Sequence, residues 1–237
     1  MKLLELTDPL KLRREFGFFD DFEWYVTGHR FTSLAVDAGA SAAVGDAAGG
    51  VLTLTTGATL YNEAAVKTTA AVFQFAADRP LVGEWCLKYA EAAATAANVA
   101  VGFCDAAGAD LLLDAGAGPK ASYSGAMVYK ATGATTWSFQ TALGAAKTTT
   151  PLAAPAGLGV AQTIRIEARE VGGVVELVPT IDGLQATDAA TGRPVKHKIA
   201  LGAPALMQQF AYVKAGSAAS EAVGLDYVAG YQLARVY

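Results

Sequence analysis

The chain has 237 residues, is rich in alanine and glycine, and carries a formal net charge of −4 at pH 7. That length suits one large β domain or two small ones, and the negative charge argues against nonspecific attraction to nucleic acid or to an anionic membrane. The sequence has no run of about 18 apolar residues, so we predict no transmembrane helix. Acids interrupt the apolar stretch that a signal peptide needs, so we expect synthesis in a cytoplasm.

Residues 1–19 differ from the rest of the chain and are predicted to form an N-terminal arm. Leucines alternate with cations there, and Pro9 interrupts any helix. A basic, amphipathic arm fits a partner or a sister subunit that offers an apolar groove rimmed by acids. The alternative is that the arm covers its own domain as an edge strand, and a strand exchanged between subunits would satisfy both predictions. The predicted interface residues are Leu3, Leu4, Leu6, Leu10, Leu12, Arg13 and Arg14.

Residues 20–237 are predicted to form one all-β domain, an antiparallel β-sandwich or jelly roll. In segments such as 51–56 and 163–168, β-branched residues alternate with small or polar ones, which is typical of half-buried strands. Many short strands without helices fit two stacked antiparallel sheets. The predicted strands are 22–27, 33–37, 50–56, 63–69, 71–75, 81–89, 98–104, 110–113, 123–130, 135–141, 161–169, 174–181, 196–201, 208–214 and 223–235.

A large sandwich needs bulky residues between its sheets, and aromatic residues are spread over the predicted strands. We predict that these aromatics supply much of the core. They are Phe73, Phe75, Trp85, Tyr89, Phe103, Tyr129, Trp137, Phe139, Phe210, Tyr212, Tyr227 and Tyr231.

Two hairpins are predicted in detail. The first joins residues 161–169 to residues 174–181 through Gly172–Gly173, a pair typical of tight turns. The second would join residues 81–89 to residues 99–104 and place Cys86 opposite Cys104 on one sheet face. Two free thiols are expected there in a reducing cytoplasm, and a disulfide is the alternative.

The side chains that could carry catalysis are few. The only imidazoles are His29, predicted in a loop, and His197, predicted at a solvated strand end, and neither has a convincing nucleophile nearby in sequence. Glycoside hydrolysis needs paired carboxylates, whereas the predicted strands carry single acids. We therefore predict no catalytic residue and no cofactor, with a glycosidase or lyase as the enzymatic alternative. The single acids are Glu84, Glu167, Glu176 and Asp226.

Charged residues elsewhere have structural interpretations. Asp105, Asp110 and Asp114 surround one loop and could hold Ca²⁺, but aspartate is also a common turn residue, so we predict no metal site. Arg165 and Arg169 flank Glu167 at alternate positions, which predicts a ladder of ion pairs on an exposed face.

Several short segments, in order across residues 20–233, resemble the capsid cement or decoration proteins of tailed bacteriophages, which have a lectin-like jelly roll. The resemblance implies a non-enzymatic virion protein that binds the major capsid protein on the outer surface of the head and stabilises it. It would act as a homodimer or homotrimer and be made in the host cytoplasm. The segments are Asp20-Asp21-Phe22, Gly49–Gly57, Asn62-Glu63-Ala64, Gly118–Ser122, Val128-Tyr129-Lys130, Gly192–His197, Val213–Gly216 and Asp226–Gln232.

The hairpin that ends in Ile181-Asp182-Gly183 also resembles laminin-G and concanavalin-type sandwiches, which bears on the fold. The alternative function is therefore a carbohydrate-binding, lectin-like module of a phage surface or tail protein. Such a module needs an exposed Trp or Tyr beside clustered Asp or Asn on one face. The chain has only two asparagines, Asn62 and Asn98, which argues against this alternative. Weak glycan binding remains among the expected partner interactions.

Overall fold

The computed structural model describes residues 15–35, 37–45, 49–200 and 205–233. The arm residues predicted as an interface lie outside these ranges. None of the described elements is a helix long and apolar enough to cross a membrane. The strands are β1 (Glu15–Asp20), β2 (Phe31–Ala35), β3 (Ser41–Gly45), β4 (Val51–Thr55), β5 (Glu63–Thr68), β6 (Leu81–Ala90), β7 (Ala97–Cys104), β8 (Tyr123–Lys130), β9 (Thr136–Gly144), β10 (Ala146–Pro155), β11 (Gln162–Val171), β12 (Val174–Ile181), β13 (Leu184–Gln185), β14 (His197–Ala200), β15 (Gln208–Ala215) and β16 (Ala222–Leu233).

The strands form two sheets, and every described pairing is antiparallel. Sheet A has the order β13-β12-β11-β6-β16-β4-β3, with β1 also paired to β16 and β14 to β12. Sheet B has the order β10-β9-β8-β7-β15-β5-β2. The predicted all-β antiparallel sandwich is confirmed.

The main core lies between the two sheets. Strand β6 alternates buried and half-buried positions, so that Trp85, Leu87 and Tyr89 point inward from sheet A. Trp137 and Phe139 enter the same core from sheet B. Because fully burying a large apolar side chain contributes about 1.5–3 kcal/mol, this alternation accounts for the pairing of the two sheets.

A second apolar cluster lies on the outer face of sheet B, beneath the loop of residues 105–122 that joins β7 to β8. Leu111 and Leu112 from this loop pack in one cluster with side chains of β7, β8 and β15. This cover explains why every residue of β7 is buried, on both faces. Three aromatics predicted in the core, Tyr129, Phe210 and Tyr212, lie in this outer cluster instead.

One predicted hairpin is confirmed and the other is wrong. Strands β11 and β12 pair through Gly172–Gly173, with Val171 opposite Val174. Strands β6 and β7 do not pair, because β6 lies in sheet A and β7 in sheet B. Cys86 is therefore opposite Thr163 and Tyr227, whereas Cys104 is opposite Gly125 and Gln208. Both thiols are free.

Several strand boundaries also differ from the prediction. Residues 22–27, 71–75 and 110–113 belong to no strand. The first segment turns outward after Phe22, the second makes only an isolated bridge from Phe73 to Met207, and the third lies in the loop over sheet B. Residues 15–19, assigned to the arm, form most of β1, where Gly17 lies opposite Tyr231. Strands β3, β10 and β13 were not predicted: β3 consists mostly of small residues, β10 is rich in Ala and Thr, and β13 has only two residues.

Candidate functional site

An open cleft of about 720 Å³ lies at the edge of the sandwich where the chain crosses from sheet A to sheet B. It is lined by residues of β1, of the 21–30 loop, of the start of β2, and of the 68–72 segment after β5. We call it the aromatic cleft. Its volume is in the range of small-ligand sites.

A buried anchor gives the 21–30 loop its shape. The backbone N–H of Phe22 donates to Asp20 Oδ1 at 3.1 Å, and the Phe22 ring is fully buried, 5.6 Å from the ring of Phe31. Phe22 adopts a left-handed backbone conformation with φ of 54°. Because the Phe22 side chain points into the core, its neighbours Asp21 and Glu23 point to solvent.

Trp24 forms an exposed platform at the rim of this cleft. Its side chain is 63% exposed and meets the His29 ring edge-to-face at 5.7 Å. A tight turn holds the two rings together, since the N–H of His29 donates to the carbonyl of Val26 at 3.3 Å. His29 thus lies in a loop, as predicted.

The charges around the aromatic cleft are mostly negative. Arg30 Nη1 donates to Asp20 Oδ2 at 3.0 Å and to the carbonyl of Phe19 at 3.2 Å. Its guanidinium group also lies 5.3 Å from the centre of the Phe18 ring. Asp21 and Glu23 have no ion-pair partner in the part of the chain that the structure describes. The rim therefore offers two carboxylates as hydrogen-bond acceptors.

One further polar group beside the cleft has no protein partner. The Tyr25 hydroxyl is buried, and no hydrogen bond joins it to any described residue. A buried hydroxyl without a partner costs free energy, on the order of 1–3 kcal/mol.

The three aspartates considered for calcium have other partners. Lys214 Nζ donates to Asp110 Oδ1 at 3.0 Å and to Asp114 Oδ1 at 2.6 Å. Asp105 Oδ1 accepts the backbone N–H of Ser124 at 2.8 Å. A buried ammonium group between two of the carboxylates repels a cation at the same place. Within the described ranges, no group of three or more His, Cys, Asp or Glu side chains is arranged to hold a metal ion.

Lys214 belongs to a buried polar cluster that fastens the 105–122 loop to sheet B. Glu63 accepts hydrogen bonds from the Tyr212 hydroxyl and from the backbone N–H of Asp110. Burial raises the pKa of the Glu63 carboxyl. Burial opposes the charge on Lys214, but its hydrogen bonds to Asp114 and Asp110 raise the pKa of its ammonium group. The fastened loop covers the part of the outer face of sheet B that β7, β8 and β15 form.

His197 is buried, and the prediction of a solvated strand end is wrong. Its two ring nitrogens lie 3.0 Å from Thr141 Oγ1 and 2.9 Å from Thr150 Oγ1. The ring also packs 4.7 Å from the ring of Phe139, and burial lowers the pKa of His197 to about 4. Strand β14 places this side chain against β9 and β10, which the flanking lysines in the sequence did not suggest.

Three of the four single acids predicted on strands of sheet A, Glu84, Glu167 and Glu176, are paired with cations, whereas no described ion pair includes Asp226. Arg165 binds Glu84 at 3.3 Å and Glu167 at 2.6 Å, which confirms the predicted ion ladder. Glu176 accepts hydrogen bonds from Arg169 at 3.2 Å and Lys196 at 3.3 Å, and these lower the pKa of its carboxyl. A glycosidase needs a pair of carboxyl groups, one on each side of the sugar bond that is cleaved. Glu84, Glu167 and Glu176 instead form ion pairs with Arg and Lys side chains.

Comparison with solved structures identifies the fold. The carbohydrate recognition domain of Emp47p has a TM-score of 0.57 and 10% identity, over 91% of this chain and 93% of that one. Peanut lectin has a TM-score of 0.60 and 10% identity, over 94% and 99% of the two chains.

The similar structures are mostly lectins or carbohydrate recognition domains, but they include an enzyme. An endo-1,3-β-glucanase from Streptomyces sioyaensis has a TM-score of 0.59 and 13% identity, over 94% of this chain and 98% of that one. No protein-family model matches the sequence, and no curated protein matches it. At such low identities the similarity concerns the fold alone, and the fold of this chain is that of the lectin-like jelly rolls.

Proposed function

We propose that this protein is a non-enzymatic carbohydrate-binding module and that its site is the aromatic cleft. The observation that carries the proposal is Trp24, an indole ring 63% exposed at an open cleft. It lies beside Asp21 and Glu23, two carboxylates without an ion-pair partner among the described residues. An exposed indole that lines an open cleft provides a flat apolar surface on which the ring of a ligand can pack.

The chemistry of the rim suits a sugar. The face of Trp24 can pack against the apolar C–H face of a pyranose ring, while His29 supports the indole from its edge. Asp21 and Glu23 can accept hydrogen bonds from sugar hydroxyls, and charge-assisted hydrogen bonds of this kind are stronger than neutral ones. The Trp24 platform and the two carboxylate acceptors lie on one short loop. The site would therefore contact only one or two sugar units of a glycan.

The functions of other proteins with this fold also support the proposal. Proteins with this fold include a carbohydrate recognition domain and lectins, and the one enzyme among those compared acts on a 1,3-β-glucan. A fold hosts many functions, so the weight of the proposal rests on the cleft.

Titration calorimetry of the full chain with laminaritriose and with chitotriose tests the proposal. We expect weak binding of at least one of them, and a loss of about tenfold or more in Trp24→Ala, because the stacking surface is removed. Trp24→Phe should retain part of the affinity.

Leu184→Ala is the matched control, since Leu184 is 76% exposed on β13, away from the cleft. It should bind like the parent protein. Equal losses in both variants, or binding unchanged by Trp24→Ala, would place any glycan site elsewhere. Failure to bind either sugar or any member of a broad glycan array would reject the function.

We make a separate proposal for the location and the protein partner. The resemblance across residues 20–233 favours the outer surface of a phage head, with the major capsid protein as partner and the N-terminal arm as the attachment segment. Co-sedimentation of the full chain with empty heads tests it. Saturable binding that is lost when Leu10 and Leu12 are replaced by serine would support this location, and absence of binding by the parent protein would reject it.

A further inference from the structure

The aromatic cleft exposes more apolar surface than a sugar needs. Phe19 is 60% exposed, and its ring stacks on Tyr227 at 5.3 Å, leaving one face to solvent. Phe16, Val26 and Val72 are also exposed large apolar side chains that line the same cleft. Together with Trp24 they give the cleft five exposed large apolar side chains, and exposed apolar surface of this kind marks contacts with another protein segment.

The charges of the cleft favour a cationic segment. Asp20, Asp21 and Glu23 carry three negative charges and Arg30 carries one positive charge, so these four lining residues have a formal charge of −2. Complementary charges increase the rate and specificity of association more than the affinity itself.

A segment with matching chemistry is joined to the cleft wall. Residues 1–14 contain five leucines, four cations and two acids, and they precede β1, of which Phe16 to Asp20 line the cleft. Fully extended, 14 residues reach about 46 Å. With that length, the arm of one copy can reach the aromatic cleft of a second copy.

We propose that the aromatic cleft of one copy binds the N-terminal arm of a second copy. A return of the arm into its own cleft would require a reversal of the chain close to Glu15, where β1 begins. Residues 10–14, Leu-Lys-Leu-Arg-Arg, contain none of the residues that favour tight turns. The turn-favouring pair Asp8-Pro9 lies further from β1, and a reversal there leaves residues 1–7, which extend over about 23 Å and would only retrace residues 9–15. An exchanged arm enters the partner's cleft without that reversal. Reciprocal exchange gives a dimer and cyclic exchange a trimer.

Carbodiimide cross-linking with two complementary variants of the full chain tests this inference. Variant one carries Lys2→Arg and Lys11→Arg, so its arm keeps its charge but offers no lysine to the reagent. Variant two carries Asp21→Asn and Glu23→Gln, so its cleft offers no carboxylate at those positions. The measured product is the cross-linked peptide that joins an arm lysine to residue 21 or 23, identified by mass spectrometry.

The parent protein should give this product, and each variant alone should not. Co-expressed variants should recover it, because the arm of variant two then meets the intact cleft of variant one. A product in the parent protein without recovery in the co-expressed pair would show that each arm fills its own cleft, which overturns the inference. No product in the parent protein also overturns it.

Light scattering provides an independent measurement. The pair Leu10→Ser and Leu12→Ser should reduce the molar mass at a fixed concentration toward that of a monomer. The control Leu184→Ser replaces an exposed leucine of β13 that does not line the cleft, and it should leave the mass unchanged. A parent protein that is monomeric at about 100 μM, well above the concentration range of stable oligomers, would contradict the exchange. These readouts do not depend on glycan binding, so either proposal can fail alone.

Discussion

Gly50 lies directly against the backbone carbonyl of Phe22, so that a Cβ atom at residue 50 would overlap that oxygen. Gly50 also has a φ of +74°, a conformation that side chains disfavour. Phe22 is the anchor of the 21–30 loop. The start of β4 therefore supports the loop that carries Trp24, although Gly50 itself does not line the cleft.

Gly50→Ala should destabilise the protein by about 2–4 kcal/mol, because both the backbone conformation and the overlap are unfavourable. Gly49→Ala is a close control. Gly49 has a φ of +89°, but a Cβ there would meet no atom within 4 Å, so only the conformational cost of about 1 kcal/mol applies. Urea unfolding measures both. Equal losses would mean that the contact with Phe22 does not matter.

Stability should fall in acid through His197. The unfolded imidazole takes up a proton near pH 6.5, whereas burial lowers the native pKa to about 4. Between these values the unfolded state binds more protons, so the free energy of unfolding decreases as the pH falls from about 6.5 to 4. The full contribution is on the order of 3 kcal/mol.

The measurement is urea unfolding of the parent protein and of His197→Gln between pH 4 and 7.5. The variant keeps polar atoms near Thr141 and Thr150 but cannot titrate, so its stability should depend less on pH. The difference between the two proteins isolates His197 from the carboxyls. A constant difference across this range would show that His197 does not titrate as described.

Tyr212→Phe should loosen the 105–122 loop. The variant removes the hydroxyl that donates to Glu63, a buried carboxyl that also holds the loop through the N–H of Asp110. We expect a loss of about 1–3 kcal/mol and faster hydrogen exchange within the loop. Tyr123→Phe is the control, because its hydroxyl donates to Gln140 within sheet B. Faster loop exchange in both variants, or in neither, would contradict a specific role for Tyr212.

The arm and a glycan should compete if both bind in the aromatic cleft. The apparent dissociation constant equals the intrinsic one divided by the fraction of open clefts. The Leu10→Ser and Leu12→Ser pair should therefore bind laminaritriose or chitotriose several-fold more tightly than the parent protein, as measured by calorimetry. Unchanged affinity would mean that the two occupants use different surfaces.

The alternation of residues along the chain was sufficient to predict the β-sandwich. Strands such as β4 and β6 have one face in the core and one outside, and a period of two records that difference directly. The ladder of Arg165 with its glutamates was predictable for the same reason, since alternate residues share a face. Turn residues such as Gly172–Gly173 located the β11–β12 hairpin.

Which strands become neighbours was decided by the tertiary structure. The sequences of β6 and β7 indicate that both are strands that bury apolar side chains. They do not show whether the two strands pair in one sheet or face each other across a core. The predicted approach of Cys86 and Cys104 was wrong for that reason.

Contacts between side chains from distant strands could not be predicted from the sequence either. His197 is buried because β9 and β10 pack against its strand, and the cluster of Glu63, Tyr212 and Lys214 needs the loop that covers it. The aromatic cleft also needs β1, the 21–30 loop and the 68–72 segment at one edge. The sequence by itself determined the fold class and the polar or apolar character of each segment, because these are local properties. The tertiary structure decided burial, charge pairing and the position of the site, because these depend on contacts between residues far apart in the chain.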